Sequence, residues 1–222
     1  MHSLMNRPIF LRGCATSIAM IIIFVAQLSS AQETVGVIAK VIGNAKLERG
    51  AKEFDAAVAM PVAIGDKLRT MKNSQVSVTF RDGSSAELGE SSYLTIDRYA
   101  LSGSTRTAGL LALWAGRLRT IVKVATGREP SFEVHTPNAV VAVRGTDFET
   151  AFIDNRPCPE DRSCMRYTTV GVSRGIVAVS NPSNPAPPTE VREGYETTVA
   201  CESAATSPAP LGMEDLGAPG YH

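Results

Sequence analysis

Residues 76–90 read VSVTFRDGSSAELGE. Val76, Val78 and Phe80 alternate with polar neighbours, and Ala86 and Leu88 do the same beyond Asp82-Gly83. Alternation of period two gives each segment one apolar face, as in a half-buried strand. An Asp-Gly step between two such segments signals a hairpin. A two-residue loop would set Val78 against Glu87, an apolar side chain beside a charge. A three-residue loop, Arg81-Asp82-Gly83, instead pairs Phe80 with Ser84, Val78 with Ala86 and Val76 with Leu88. It also puts Gly83 at the third loop position, where a positive φ is wanted. Register follows the buried face, so the three-residue loop is expected.

The same pattern continues on both sides. Val35–Ile42, Leu94 with Ile96, residues 117–124 (RLRTIVKV), Phe132–Val134, Ala139–Val143 and Ile176–Val179 all supply short runs rich in β-branched residues. Residues 107–115 (TAGLLALWA) suit either helical turns or a strand buried on both faces, with Trp114 in the core. IGDKLRT (64–70), WAGRLRT (114–120) and GVSRGIVAV (171–179) are weak echoes of one another, each bringing a glycine into a strand-like run. The expectation is an all-β fold: one compact sandwich or roll, jelly-roll-like or short β-helix-like, of hairpin-connected strands.

The chain has 222 residues, 44% hydrophobic and 20% charged, the make-up of a globular protein. Basic and acidic residues number 22 each, so no net field would draw in nucleic acid or an anionic membrane. Residues 1–31 stand apart. Arg7 and Arg12 precede an apolar run from Ile18 to Leu28, and Ser29 and Ala31 follow it. That order predicts a secretory signal peptide cleaved after Ala31, and the run is shorter than a membrane span of about 20 residues. The expected organisation is a signal peptide at 1–31, a β domain at 32–180, a proline-rich excursion with a possible last strand at 181–202, and a disordered tail at 203–222. The expected location is periplasmic or secreted, with no stable membrane span after cleavage.

An exported chain is expected to oxidise its cysteines. Cys158 and Cys164 flank a short loop and are the favoured pair, with Cys201 the competing partner. No metal is expected, because no second Cys or His pair lies at zinc-ligand spacing, and no cofactor is expected either. Gly171-Val-Ser173-Arg-Gly175 matches the serine-hydrolase elbow literally, but that motif needs a helix after the serine, and IVAVS reads as a strand. His135, beside a Thr-Pro step, reads as a polar residue at a strand end. No catalytic residue is assigned, and an enzyme is not expected.

Residues 140–150, VVAVRGTDFET, carry a change of parity. Val141 and Val143 share a face before Gly145, while Phe148 and Phe152 take the opposite parity after it. A β-bulge at the glycine would do this. Arg144 would then be structural, its guanidinium tying a nearby carboxylate or the carbonyls freed by the bulge.

FEVHTPNAVVAVRGTDFET, with the upstream VGVIAKVIGNAKLERG, IGDKLRT and VSVTFRDGSSAELGESSYLTID, resembles the FecR domain. This is the periplasmic domain of FecR-type regulators of iron-siderophore uptake. The likeness spans about residues 35–180, and Asp82, Gly83, Thr136, Pro137, Arg144, Gly145 and Thr146 lie in its motifs. It implies an all-β, non-catalytic envelope domain. In regulator members this domain relays receptor occupancy to an anti-sigma segment across the inner membrane. No sigma-binding segment precedes the apolar run here, so a free-standing form is expected. Its partner would be another envelope protein, with glycan or peptidoglycan binding as the alternative.

Overall fold

The computed structural model describes residues 33–124 and 132–212, and among them every regular element is a strand. In chain order these are β1 (Thr34–Ile42), β2 (Ala45–Arg49), β3 (Lys52–Asp55), β4 (Pro61–Ala63), β5 (Lys67–Thr70) and β6 (Gln75–Phe80). Next come β7 (Ser85–Leu88), β8 (Tyr93–Ser102), β9 (Thr105–Ile121), β10 (Phe132–His135), β11 (Val140–Val143) and β12 (Asp147–Asp154). The last are β13 (Arg166–Arg174), β14 (Ile176–Ser180), β15 (Thr189–Arg192), β16 (Tyr195–Ala200) and β17 (Ala209–Pro210).

Hydrogen bonding sorts these strands into two sheets that share β9. The first runs β4-β1-β6-β7-β9-β12-β13-β16-β17. The second runs β3-β2-β5-β8-β9-β10-β11-β14-β15. Through β9 all seventeen strands form one open network, mixed because β10 runs parallel to β9. The expected all-β fold of linked hairpins is what the chain adopts.

The hairpin at β6–β7 has the expected register. Val76 faces Leu88 and Val78 faces Ala86. Phe80 N–H bonds to Ser84 C=O at 2.9 Å, around a three-residue loop in which Gly83 has φ +79°. The whole inward face is apolar, which fixes the pairing because a one-residue slip would turn it to water.

Hairpins β6–β7, β12–β13 and β16–β17 lie in the first sheet, and β2–β3, β8–β9, β10–β11 and β14–β15 in the second. The chain therefore changes sheet repeatedly, and the echoed glycines sit at those changes. Gly65 links β4 to β5, Gly116 lies inside β9, and Gly175 links β13 to β14, all at positive φ (84°, 83° and 93°). At Gly116, β9 leaves β8 and enters the pairing with β7 and β12. A positive φ there turns the strand at a cost only glycine avoids.

One apolar core fills the space between the sheets, from Val35 and Ile38 through Leu111 and Leu118 to Val191 and Val199. Phe80 and Tyr99 stack at 4.3 Å between ring centroids, and Phe132 meets Tyr99 edge-on at 6.4 Å. Residues 107–115, ambiguous in sequence, are strand. Residues 203–212 correct the expectation of a disordered tail. Thr206 bonds Thr197 and Thr198, Ala205 packs on the core, and β17 pairs with β16. Residues 213–222 and 1–31 fall outside the described residues.

Candidate functional site

Of the residues singled out in the sequence, Asp82, Thr136, Gly145 and Thr146 serve the interior, while Pro137 and Arg144 are exposed. Asp82 Oδ1 accepts Tyr99 Oη–H at 2.7 Å and Ser84 N–H at 2.9 Å. Its Oδ2 accepts from Ser84 Oγ–H at 2.8 Å and from the Arg106 guanidinium. Arg106 is itself 2% exposed. It also donates to Ser84 Oγ at 2.9 Å and to Lys123 C=O at 3.0 Å, and lies over the Phe132 ring at 5.2 Å. A buried charge persists only where it is paired and hydrogen-bonded, and here several acceptors surround it. Burial, with Asp82 second, holds the Tyr99 phenol well above its ordinary range. The Asp-Gly-Ser turn thus closes a hairpin and also neutralises an arginine inside the barrel of side chains. Nothing local marked Arg106 for this role.

Thr136-Pro137-Asn138-Ala139 is the turn from β10 to β11. Ala139 N–H bonds Thr136 Oγ1 at 2.9 Å, and Thr136 meets Thr168 Oγ1 at 2.7 Å. Asn138 Nδ2–H reaches Val199 C=O at 2.7 Å and its Oδ1 accepts Thr168 Oγ1–H at 2.6 Å. Pro137 stands exposed over this buried polar cluster. At the other end of the core, buried Asp66 accepts both Nε–H and Nη2–H of Arg49, at 2.7 and 2.5 Å, and Ala63 N–H at 2.8 Å.

Arg144-Gly145-Thr146 corrects the bulge expectation. These residues join β11 in the second sheet to β12 in the first, so the parity change marks a change of sheet. Val143 and Phe148 face the same core from opposite sides. Gly145 is required by closeness: a Cβ there would lie 2.5 Å from Val124 Cγ2 and 3.0 Å from Val124 Cα. Arg144 is exposed, and no hydrogen bond or ion pair joins it to the described residues. The acids expected near it pair elsewhere, Asp147 with Arg119 at 3.1 Å and Glu149 with Arg117 at 2.7 Å. Thr146 is buried, with its C=O accepting Val122 N–H at 2.8 Å.

The disulfide is a second correction. Cys164 bonds to Cys201, with Cα atoms 5.8 Å apart, and Cys158 is a buried free thiol. Pairing of β13 with β16 sets Tyr167 opposite Ala200, which carries Cys164 and Cys201 together just beyond the ladder. Ser173 lies exposed near the end of β13, followed by the Gly175 corner and β14. The helix that a hydrolase elbow needs is not there. Among the described residues no three His, Cys, Asp or Glu side chains group as a metal ion would require, and no helix is long and apolar enough to cross a membrane.

The outer face of the second sheet is different in kind. One row of register partners crosses it: Lys67, Thr95, Ala112, His135, Val140 and Ser180. A neighbouring row brings Leu110, Glu133, Ala142 and Ala178 alongside. Leu110, Ala112, Val140, Ala142 and Ala178 form the apolar part of this face, interleaved with Lys67, Thr95, Glu133, His135 and Ser180. Trp114 projects from it, 51% exposed, its Nε1–H held by Thr95 Oγ1 at 3.0 Å. This overturns the expectation of a core tryptophan. Inside a strand Trp114 has the parity opposite to Leu111 and Leu113, which are buried. That signal was readable once residues 107–115 were taken as strand.

Polar groups line this face. The Arg69 guanidinium lies over the Tyr93 ring at 5.0 Å, and His135 Nε2 meets Glu133 Oε2 at 2.6 Å, as suits a polar strand-end histidine. Partial burial holds the Asp97 carboxyl above its usual range, with nearby His135 opposing the shift. This face therefore combines an exposed, hydrogen-bonded indole with small apolar side chains and charged neighbours.

Residues 66–178 match the family described as FecR protein, which runs from β5 into β14 and takes in the turns carrying Asp66, Asp82, Thr136 and Gly145. No curated sequence matches the chain. Two crystal structures of a "putative anti-sigma factor" from Parabacteroides distasonis are similar, at 19% and 20% identity and TM-scores of 0.49 and 0.47. Each comparison covers 65% of this chain and 59% of that one, less than two thirds of its length. With over half of its residues matched by the family pattern and that pattern accounted for turn by turn in the fold, the chain belongs to the FecR protein family.

Proposed function

We propose that this protein is an exported, non-catalytic FecR module that acts by binding another protein of the bacterial envelope. The observation that carries the reading is Trp114, half exposed and held by Thr95 on the outer face of the second sheet, close to where β9 leaves it at Gly116. Aromatic residues set in a flat apolar patch with a polar rim are what protein partners bury most profitably. The turns within the family match support this by contrast: Asp82, Thr136, Asn138 and Gly145 serve the interior and leave the outer face to do the contacting. Arg7 and Arg12 ahead of the apolar run from Ile18 to Leu28, with small residues at Ser29 and Ala31, support export with cleavage after Ala31. N-terminal sequencing of the protein recovered from its native envelope is expected to begin at Gln32, and a sequence beginning at Met1 would overturn the export reading.

The binding test compares capture of envelope proteins by the folded chain and by Trp114→Ala. The substitution is expected to weaken retention about tenfold or more, the effect of losing an aromatic anchor. It should cost the fold only about 1 kcal/mol, since one hydrogen bond and a half-buried ring are lost. Equal retention by both proteins would sink this face as the contact surface. Sedimentation of the chain with purified cell wall, abolished by the same substitution, would instead favour the glycan reading, for which the exposed indole is also suited.

A further inference from the structure

Cys158 and Cys164, between β12 and β13, and Cys201, just after β16, form one cluster that the proposed function does not use. Cys158 and Cys164, 0% and 3% exposed, pack with Ala200, Tyr167 and Cys201. Cys158 N–H donates to Cys164 C=O at 2.8 Å, and Arg156 N–H to Met165 C=O at 3.1 Å. These backbone bonds lay residues 156–158 alongside residues 164–165, and the side chains of Cys158 and Cys164 share one buried cluster with Cys201. The free thiol also has a hydrogen-bond acceptor: Cys158 Sγ–H donates to Glu160 Oε2 at 3.0 Å. Cys164 therefore has one bonded sulfur partner and a second thiol beside it.

We propose that Cys158 and the Cys164–Cys201 bridge form an internal disulfide-exchange site, at which the crosslink moves from Cys201 to Cys158. The Cys158 thiol gives up its proton to solvent, and the thiolate attacks Cys164 Sγ. A Cys158–Cys164 bond forms as the Cys164–Cys201 bond breaks, and the electron pair leaves on Cys201 Sγ, which takes up a proton. One disulfide and one thiol exist before and after, so no oxidant or reductant is consumed.

The two states differ in what they tie. The present bridge joins residues 37 apart and pins the end of β16 to the start of β13. The exchanged bridge would close only the loop around Arg162. Cys201, partly exposed, would become the free thiol, and residues 201–212 would lose their covalent tie to the sheet. Burial, with Glu160 second, pushes the Cys158 thiol up, which keeps the resting state protonated and the exchange slow at neutral pH. Glu160, Asp161, Arg156 and Tyr167 are the titratable and charged groups around it. Rising pH favours the attacking thiolate.

The test holds the oxidised full chain at about pH 6 and about pH 9, either side of an ordinary thiol. Acid quenching, alkylation under denaturing conditions and non-reducing digestion follow, with cleavage at Arg162 separating Cys158 from Cys164. At the lower pH the label is expected on Cys158. At the higher pH label on Cys201 should rise about tenfold or more, together with a Cys158–Cys164 crosslinked peptide, and Cys158→Ser should abolish the Cys201 label. As an independent check, Cys201→Ser should yield the Cys158–Cys164 crosslink on oxidation. Label confined to Cys158 at both pH values, or two free thiols in oxidised Cys201→Ser, would overturn the proposal. None of these readouts depends on the partner-binding face.

Discussion

Arg106→Ala is expected to destabilise the protein by about 3–5 kcal/mol, the usual cost of removing one member of a buried ion pair. In a domain of this size that lowers Tm by roughly 10 °C. The cause is what remains. Asp82 would keep its bonds from Tyr99, Ser84 N–H and Ser84 Oγ but carry an uncompensated charge inside the core. Lys123 C=O would lose its donor, and the space against the Phe132 ring would empty. Arg117→Ala supplies the comparison. Its partner Glu149 sits at the surface, where an ion pair contributes about 0–1 kcal/mol. Chemical denaturation of the two variants reads the difference, and equal losses would show that Arg106 is not paired in the interior.

Gly116→Ala is the second substitution expected to be severe, at about 2–5 kcal/mol. A side chain at φ +83° costs about 1–2 kcal/mol by itself. The added Cβ would lie 2.0 Å from Ser92 Oγ and 2.7 Å from Ser92 Cα, and overpacking of that kind adds about 1–3 kcal/mol. Ser92 has little freedom to give way. Its Oγ accepts Arg117 N–H at 2.9 Å and donates to Glu90 C=O at 2.8 Å, and its N–H bonds Thr70 Oγ1 at 3.0 Å. Gly103, in the β8–β9 turn, has φ +64° and nothing within 4 Å of an added Cβ, so Gly103→Ala should pay the backbone cost alone. If thermal melts show the two variants equally affected, the close approach at Ser92 is not what makes Gly116 necessary.

Local features were legible in the sequence, and non-local ones were not. The β6–β7 register could be read because its causes lie within fifteen residues: an alternating face, a glycine at the third loop position, and no charge forced inward. The parity change at Gly145 was visible too, but a bulge and a change of sheet shift parity identically. Only the placement of β14 beside β11 and β9 beside β12 tells them apart. The cysteine pairing failed for a related reason. Short spacing favours Cys158 with Cys164, whereas the register of β13 on β16 delivers Cys201 from 37 residues away. Arg106 and Asp66 were hidden because a buried charge is defined by its partners, and those come from elsewhere in the chain. Trp114 was missed through a helix–strand ambiguity that also concealed which way its ring points.

β9 belongs to both sheets, and this sets a timetable for a chain made from its N-terminus. The first eight strands can pair among themselves, but β7 and β8 each keep a bare edge until residues 105–121 emerge. Unpaired edges of this sort recruit foreign strands. A single segment then covers both edges at once, so the exposure of these two edges ends in one step, when the stretch that follows Gly103 emerges.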